Sequence, residues 1–261
     1  NKNDLFVGKS LDLYGEWSQA EFDLLGKFIK PGDVIFDIGA YIGTHSVFFG
    51  KKVSPGGFVV AIEPQRIAFE ILNTNLVLNE LINVFPVYKF ASDIRQKIAV
   101  PLLNPYVKQN FGALRISRFK EGEIVESVLL DDFNLPKCNI IKIDTEENED
   151  KIIKGAAKTI KKYKPIIYVE NNEVQDSQII IKAIRDIGYF PYWHIFPYFN
   201  PNNFFKNKKN VFAKFDPEAN MICFPQKPKK NYQGLIEVSG SKDNWREALK
   251  RMYLPNKRQQ L

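Results

Sequence analysis

The stretch Val34-Ile35-Phe36-Asp37-Ile38-Gly39-Ala40-Tyr41-Ile42-Gly43-Thr44-His45 decides the fold. A short apolar run carries an acidic residue near its end, two glycines follow four positions apart, and a hydroxyl residue then opens an amphipathic segment. It reads as a strand, a tight turn and a helix. Glycines at such a turn let backbone approach a ligand closely, and the first turn of the helix offers unpaired N–H groups. A nucleotide-type cofactor pocket is the expectation. The spacing is G-x-x-x-G, not the dinucleotide pattern G-x-G-x-x-G. Asp37 stands just before the first glycine, where a carboxylate could meet a cationic ammonium group. Both details point to S-adenosylmethionine rather than NAD. A two-glycine turn also occurs as mere structure, so the flanking segments have to decide.

Upstream, Ser18-Gln19-Ala20-Glu21 reads as a capping box opening a helix through Phe22, Leu25 and Phe28/Ile29, which Pro31-Gly32 ends. Downstream, a helix from Thr44 to about Val53 stops at Pro55-Gly56-Gly57. A second strand follows from Phe58 to Ile62, then a helix with Ile67, Ile71, Leu72 and Leu76 on one face, and a third strand from Val84 to Phe90. Between Asp93 and Asp132 the runs are short and β-like, around Ile98 to Leu103, Phe111 to Ile116 and Ile124 to Leu129, as in an insertion or hairpin edge. Alternation returns with strand Ile140 to Ile143, a helix from Glu149 to Lys162, strand Ile166 to Val169 and a helix from Ser177 to Ile187. Tyr189 to Ile195 and Met221 to Phe224 read as two late strands around a polar aromatic loop, Phe196 to Asp216. The expected architecture is α/β: a mainly parallel seven-stranded sheet, helices on both faces and an antiparallel edge.

At 261 residues and 44% hydrophobic content, the chain can bury one large core. Cys138 and Cys223 lie in apolar runs without metal-ligand spacing. They read as buried thiols in a reducing compartment, hence a cytoplasmic protein without a disulfide or zinc framework. No apolar run is long enough to span a bilayer. The chain opens on Asn1, which leaves room for a longer polypeptide. Its net charge of +7 is uneven. Residues 226–261 carry nine basic side chains against three acidic ones, and the first 225 residues are nearly neutral. Such a tail could touch nucleic acid, anionic lipid or an anionic glycan, or be a solvated helix and loop.

Ligands of an open α/β sheet sit beyond the carboxyl ends of its strands. Here those ends are acidic: Asp37, Glu63, Asp93, Asp144 and Glu170, in strand order. Glu63 lies 20 residues beyond Gly43, the distance at which a carboxylate meets ribose hydroxyls. Ser92-Asp93 is placed beside the adenine, able to accept from its exocyclic amine.

With these segments quoted, the chain resembles the FkbM family of S-adenosylmethionine-dependent methyltransferases. The likeness rests on Tyr14-Gly15-Glu16-Trp17, Pro31-Gly32-Asp33, the glycine turn, Glu63-Pro64, Ala91-Ser92-Asp93 and Ile141-Lys142-Ile143-Asp144-Thr145-Glu146, and spans about residues 14–224. Where the family usually continues with glycine, Glu147 stands here. The resemblance implies a Rossmann-like class I fold and O-methylation, commonly of sugars or polyketide-type alcohols. It divides the chain into a segment and helix covering the cofactor site (1–30), a methyltransferase domain (31–225) and a basic extension with a helix (226–261). The cofactor site expected is Tyr14, Glu16, Asp37, Gly39, Ala40, Tyr41, Gly43, Thr44, Glu63, Ser92 and Asp93.

In-line attack by a hydroxyl needs proximity and a nearby base. Asp144 and Glu170 are candidates for base or for orienting the acceptor. They lack a compact metal motif, so no metal is expected. His194 has the titration range of a base at neutral pH, or is a buried structural histidine; His45 reads as cofactor wall. The loop after His194 mixes aromatic faces with amides, which suits sugar rings as well as a self-folded loop, and Asn200, Asn203 and Asn220 are the candidate acceptor contacts. Asn104-Pro105-Tyr106 reads as an ordinary turn. The expected acceptor is a sugar or glycoconjugate. Two other readings stay open: a nucleic-acid methyltransferase that uses the basic tail, and a non-catalytic binding domain on the same scaffold.

Overall fold

The computed structural model describes residues 1–113, 115 and 120–253. The run Phe111 to Ile116 and the tail residues Lys257 and Arg258 therefore extend beyond the described residues. Helices α1 (Val7–Tyr14) and α2 (Gln19–Leu25) precede strand β1 (Val34–Ile38), and α3 (Thr44–Val53), β2 (Phe58–Ile62), α4 (Arg66–Leu78) and β3 (Val84–Val87) then alternate. Three short strands follow: β4 (Phe90–Ala91), β5 (Lys97–Val100) and β6 (Glu123–Val128). Alternation resumes with β7 (Ile140–Ile143), α5 (Glu149–Gly155), α6 (Ala157–Tyr163), β8 (Ile166–Glu170) and α7 (Ser177–Asp186). The last elements are β9 (Phe190–Phe196), β10 (Glu218–Phe224), β11 (Leu235–Glu237) and α8 (Trp245–Tyr253).

The main sheet runs β11-β9-β10-β8-β7-β1-β2-β3. Its five inner-to-edge strands β8, β7, β1, β2 and β3 pair in parallel, and β10 pairs antiparallel with β8 and with β9. The seven expected strands are present, and β11 adds an eighth along β9. The insertion forms its own sheet, β4-β6-β5, that takes the end of the expected third strand with it.

β1 is buried on both faces, which explains why its residues are apolar on both, Asp37 excepted. Phe36 and Ile38 join a core with Ile141, Ile143, Val169 and the α5 and α7 isoleucines, while Ile35 faces Leu25, Phe49, Val53 and Leu72 of α2, α3 and α4. Helices therefore cover both sides of one sheet. Cys138 and Cys223 are free and buried. Asn104 folds the expected turn, its Oδ1 accepting from Tyr106 N.

The N-terminal segment departs from the sequence reading. Helix α1 carried no strong start signal. α2 begins where expected, yet Ser18 sits at φ 49° and makes no side-chain cap. Glu21 does not reach back to close a box. It is 3% exposed and turned into the core, where His45 and Asn220 engage it.

Candidate active site

The register that aligns Ile38 with Ile62 and Ile143, and Ile143 with Val169, brings four strand ends to one edge of the sheet. Gly39 leaves β1 at φ +74°, its N–H and that of Ala40 donating to Ile62 O, both at 3.0 Å. A Cβ on Gly39 would stand 1.7 Å from Asp144 O, so only glycine allows the two loops to close on each other. Tyr41 follows at φ 49°, a strained value for a side chain of its size. Two carboxylates hold it there. Glu63 Oε2 accepts from Tyr41 N at 2.7 Å, and the Tyr41 hydroxyl donates to Asp4 Oδ2 at 2.9 Å.

Glu63 Oε1 accepts from Gln65 N at 2.8 Å, so each carboxylate oxygen of Glu63 takes one backbone donor and keeps a lone pair for a further one. Burial pushes this carboxyl up to about 7, against the pull of those two N–H groups and of Lys142. Gly39, Ala40, Tyr41, Thr44 and Glu63 all line a cleft of about 760 Å³, the size of a small-molecule site. Thr44 opens the ten-residue helix α3 there, an electropositive helix end. Gln65 lines the same cleft with a buried, unpartnered Oε1. Paired carboxylate oxygens for vicinal hydroxyls, a helix start and a buried acceptor wanting a donor suit an adenosyl group.

Asp144 and Glu170 line the cleft too, and the structure adds Glu146 and Glu218 beside them. Carboxylate oxygens of Asp144, Glu146 and Glu170 lie within 4.8 Å of one another. Asn172 Nδ2 bridges onward, donating to Glu170 Oε1 at 2.6 Å and Glu218 Oε1 at 3.0 Å. Burial and the neighbouring negative charges raise Glu146 and Glu170 well above the ordinary carboxylate range, and burial lifts Glu218 to about 7. Asp144 differs. Burial opposes its charge, but the Lys142 ammonium 3.2 Å away and a hydrogen bond with Glu170 hold it below its usual value. Such a set can accept hydrogen bonds from hydroxyls and take up a proton. Its three clustered oxygens could also hold a divalent cation, a capacity the sequence did not display because the ligands come from the loop after β7 and from the end of β8.

Ten of the residues expected at the site are not on the cleft wall. Asp37 shares the parity of Ile35, so its side chain enters the layer under α3, accepting from Ser46 Oγ at 2.6 Å and lying 3.5 Å from Lys142 Nζ. It charges the floor rather than the ligand. Gly43 serves helix packing, since a Cβ there would be 2.5 Å from Leu72 Cδ1. Ser92 is fully buried with its Oγ on Asp93 Oδ1, and Phe90 and Ala91 line the cleft in their place. Tyr14 is 1% exposed, its hydroxyl donating to Lys209 O and accepting from Val211 N. Glu16 accepts from Asn200 Nδ2 and Phe204 N. Both residues thus brace the loop between β9 and β10. Asn203 is spent inside that loop, donating to Asn200 O and Asn207 O and accepting from Asn207 N.

His194 and Asn220 belong to a buried network. Asn220 donates to Glu21 Oε1 and to the Tyr168 hydroxyl, which lies 2.8 Å from His194 Nδ1, and Glu21 Oε2 is bonded to His45 Nε2. Burial lowers His194 to about 4, so it is neutral at neutral pH. Of the network, His45 reaches the cleft wall. Sequence reasoning passed over Lys142, Glu218, Asn172 and Gln65. The apolar neighbours of Lys142 were the available signal, since a lysine inside a buried parallel strand needs a partner. From the aromatic loop Tyr198 lines the cleft, stacked with Trp17 at 5.7 Å.

Ion pairs of the basic extension form mostly within it, Lys227 with Glu237 and Arg251 with Asp243, while Arg246 reaches Asp216 of the body. No helix among the described residues is long and apolar enough to cross a membrane.

Residues 37–191 match the Methyltransferase FkbM domain. The hexuronic acid methyltransferase AglP of Haloferax volcanii is 27% identical over 179 residues, which cover 67% of this chain and 70% of AglP. The precorrin-6y C5,15-methyltransferase of Geobacter metallireducens shares the fold at 13% identity and a TM-score of 0.51, over 80% of this chain and 89% of that one. The FkbM methyltransferase of Methylobacillus flagellatus does so at 15% identity and a TM-score of 0.50, over 78% of this chain; the match spans half the length of that structure. With the domain matched over more than half its length and the glycine turn and acidic strand ends on one edge of a class I sheet, this chain belongs to the FkbM family of S-adenosylmethionine-dependent methyltransferases.

Proposed function

We propose that the enzyme methylates a hydroxyl group of a sugar or glycoconjugate. The observation that carries this reading is the group of carboxyls, Asp144, Glu146, Glu170 and Glu218, on the same cleft as Gly39 and Glu63. S-adenosylmethionine, when bound, supplies an electrophilic methyl group. Gly39, Ala40, Tyr41, Thr44 and Glu63 would hold it, and the carboxyls would face the acceptor. Hydroxyls are weak nucleophiles until a base takes the proton, and a carboxyl whose pKa is raised is, once ionised, a better base than an ordinary one. Glu170 is assigned as that base and Asp144, kept ionised by Lys142, as the group that orients the hydroxyl. The relative that acts on hexuronic acid supports a saccharide acceptor.

Incubation with isotopically labelled cofactor and a panel of glycans, with fragment mapping by mass spectrometry, tests the reading. Label on a sugar oxygen is expected, at a rate that EDTA changes by less than about twofold. Label confined to a carboxylate or to polynucleotide would refute it.

A further inference from the structure

We infer that the side-chain amide of Gln65 recognises the adenine ring of the cofactor. Adenine presents an exocyclic amine, a donor, beside ring nitrogens that accept. A glutamine amide matches such an edge with one acceptor and one donor, the pairing used when glutamine reads adenine in nucleic acids. Ser92 and Asp93, which the sequence placed beside the base, are off the cleft wall, so that role is open.

Gln65 is suited to it by position and by chemistry. It stands at the β2-to-α4 turn, two residues beyond Glu63, and its N–H fixes the Glu63 carboxylate at 2.8 Å. If Glu63 takes the ribose hydroxyls, a group a few ångströms along the wall meets the attached base. Gln65 lines the cleft, is 7% exposed, and its Oε1 is buried without a hydrogen-bond partner. A buried carbonyl left unpaired is unfavourable, and a bound N–H donor removes that penalty. Pro64 and Phe90 line the cleft as well and give a purine apolar surface to lie against. The backbone bond to Glu63 explains why the residue is ordered; it leaves the side-chain amide unexplained.

The test is calorimetric titration of S-adenosylhomocysteine and of its purine-riboside analogue, in which hydrogen replaces the amine and the ring nitrogens remain acceptors. The unaltered protein should prefer the adenine compound by roughly tenfold or more. In Gln65→Met, of similar length but without the amide, the preference should fall below about twofold, with the purine analogue weakened less than the adenine compound. Gln65→Asn, which keeps the amide but withdraws it by one methylene, should lose most of the preference too, and thermal melting of each variant reports its fold. An undiminished preference in both variants, or equal weakening toward the two compounds, would overturn the assignment. Either outcome is independent of the acceptor.

Discussion

Two segments looked equally rich in ligand chemistry, the turn Gly39 to Thr44 with Glu63, and the loop from Phe196 to Asp216 with its asparagines and aromatic rings. The turn and Glu63 line the cleft, whereas the loop turns most of its polar groups on itself and on α1. The difference lies in what else those groups have to satisfy. Backbone at a parallel strand end is paired by its sheet neighbours, so the side chains there are free to face a ligand. A long irregular loop has no such ladder, and short amides are its cheapest substitute. Asn200, Asn203 and Asn207 fold the loop as turn-formers, and Tyr198 and Phe215 are rings it sends to the cleft.

The comparison breaks most visibly at Gly39. Gly39→Ala adds a Cβ in contact with Asp144 O at a positive φ, and we expect a loss of about 3 kcal/mol or more of stability, read as a lower melting midpoint or insoluble protein. A variant that melts like the parent would mean that the turn is looser than drawn.

Glu63 sharpens the ligand side. Glu63→Ala should weaken S-adenosylhomocysteine binding by about ten- to a hundredfold in calorimetry, the size expected for hydrogen bonds to a charged group, with a smaller change in stability. The carboxyl is raised from an ordinary 4.5 to about 7, so the folded state binds its proton more tightly than the unfolded one. Its contribution to stability is therefore full at low pH and lost as pH rises from about 4.5 to 7. Ligand hydroxyls prefer the anion as acceptor, so affinity should climb between pH 6 and 8, and Glu63→Gln should flatten that climb.

Asn203 tests the loop side. It is 1% exposed and holds three bonds within the loop, so Asn203→Ala should cost about 1–3 kcal/mol in a denaturant melt while KM for the acceptor moves less than about threefold. A tenfold rise in KM at unchanged stability would return the loop to the acceptor site. The smallest kinetic effect is expected at His194. Neutral, buried and 2.8 Å from the Tyr168 hydroxyl, it should give kcat within about threefold of the parent on substitution by alanine, with the same pH profile. A lost limb in that profile would make it the base after all.

The strands, the glycine turn and the acidic residue closing β2 were legible because each is a local pattern: period, turn chemistry, a fixed distance along the chain. So was the sheet with helices on both faces, since β1, β7 and β8 are predominantly apolar, interrupted in β1 by Asp37 and in β7 by Lys142, as strands of a doubly covered parallel sheet are. Asp37 and Glu63 show where that legibility stops. Both are acidic residues at strand ends, yet one charges the floor beneath α3 and the other faces the cleft, as parity and the last hydrogen bond of each strand dictate.

By itself the chain determined its α/β class, its family and the cleft-lining turn from Gly39 to Thr44 with Glu63, because residues adjacent in sequence settle backbone conformation. Only the tertiary structure decided that Asp144, Glu146, Glu170 and Glu218 meet across three elements, that Glu21 leaves its helix cap for His45, and that His194 is sealed away. Burial, charge pairing and the sharing of donors depend on neighbours distant in sequence, and those are fixed only when the sheet is closed by its helices.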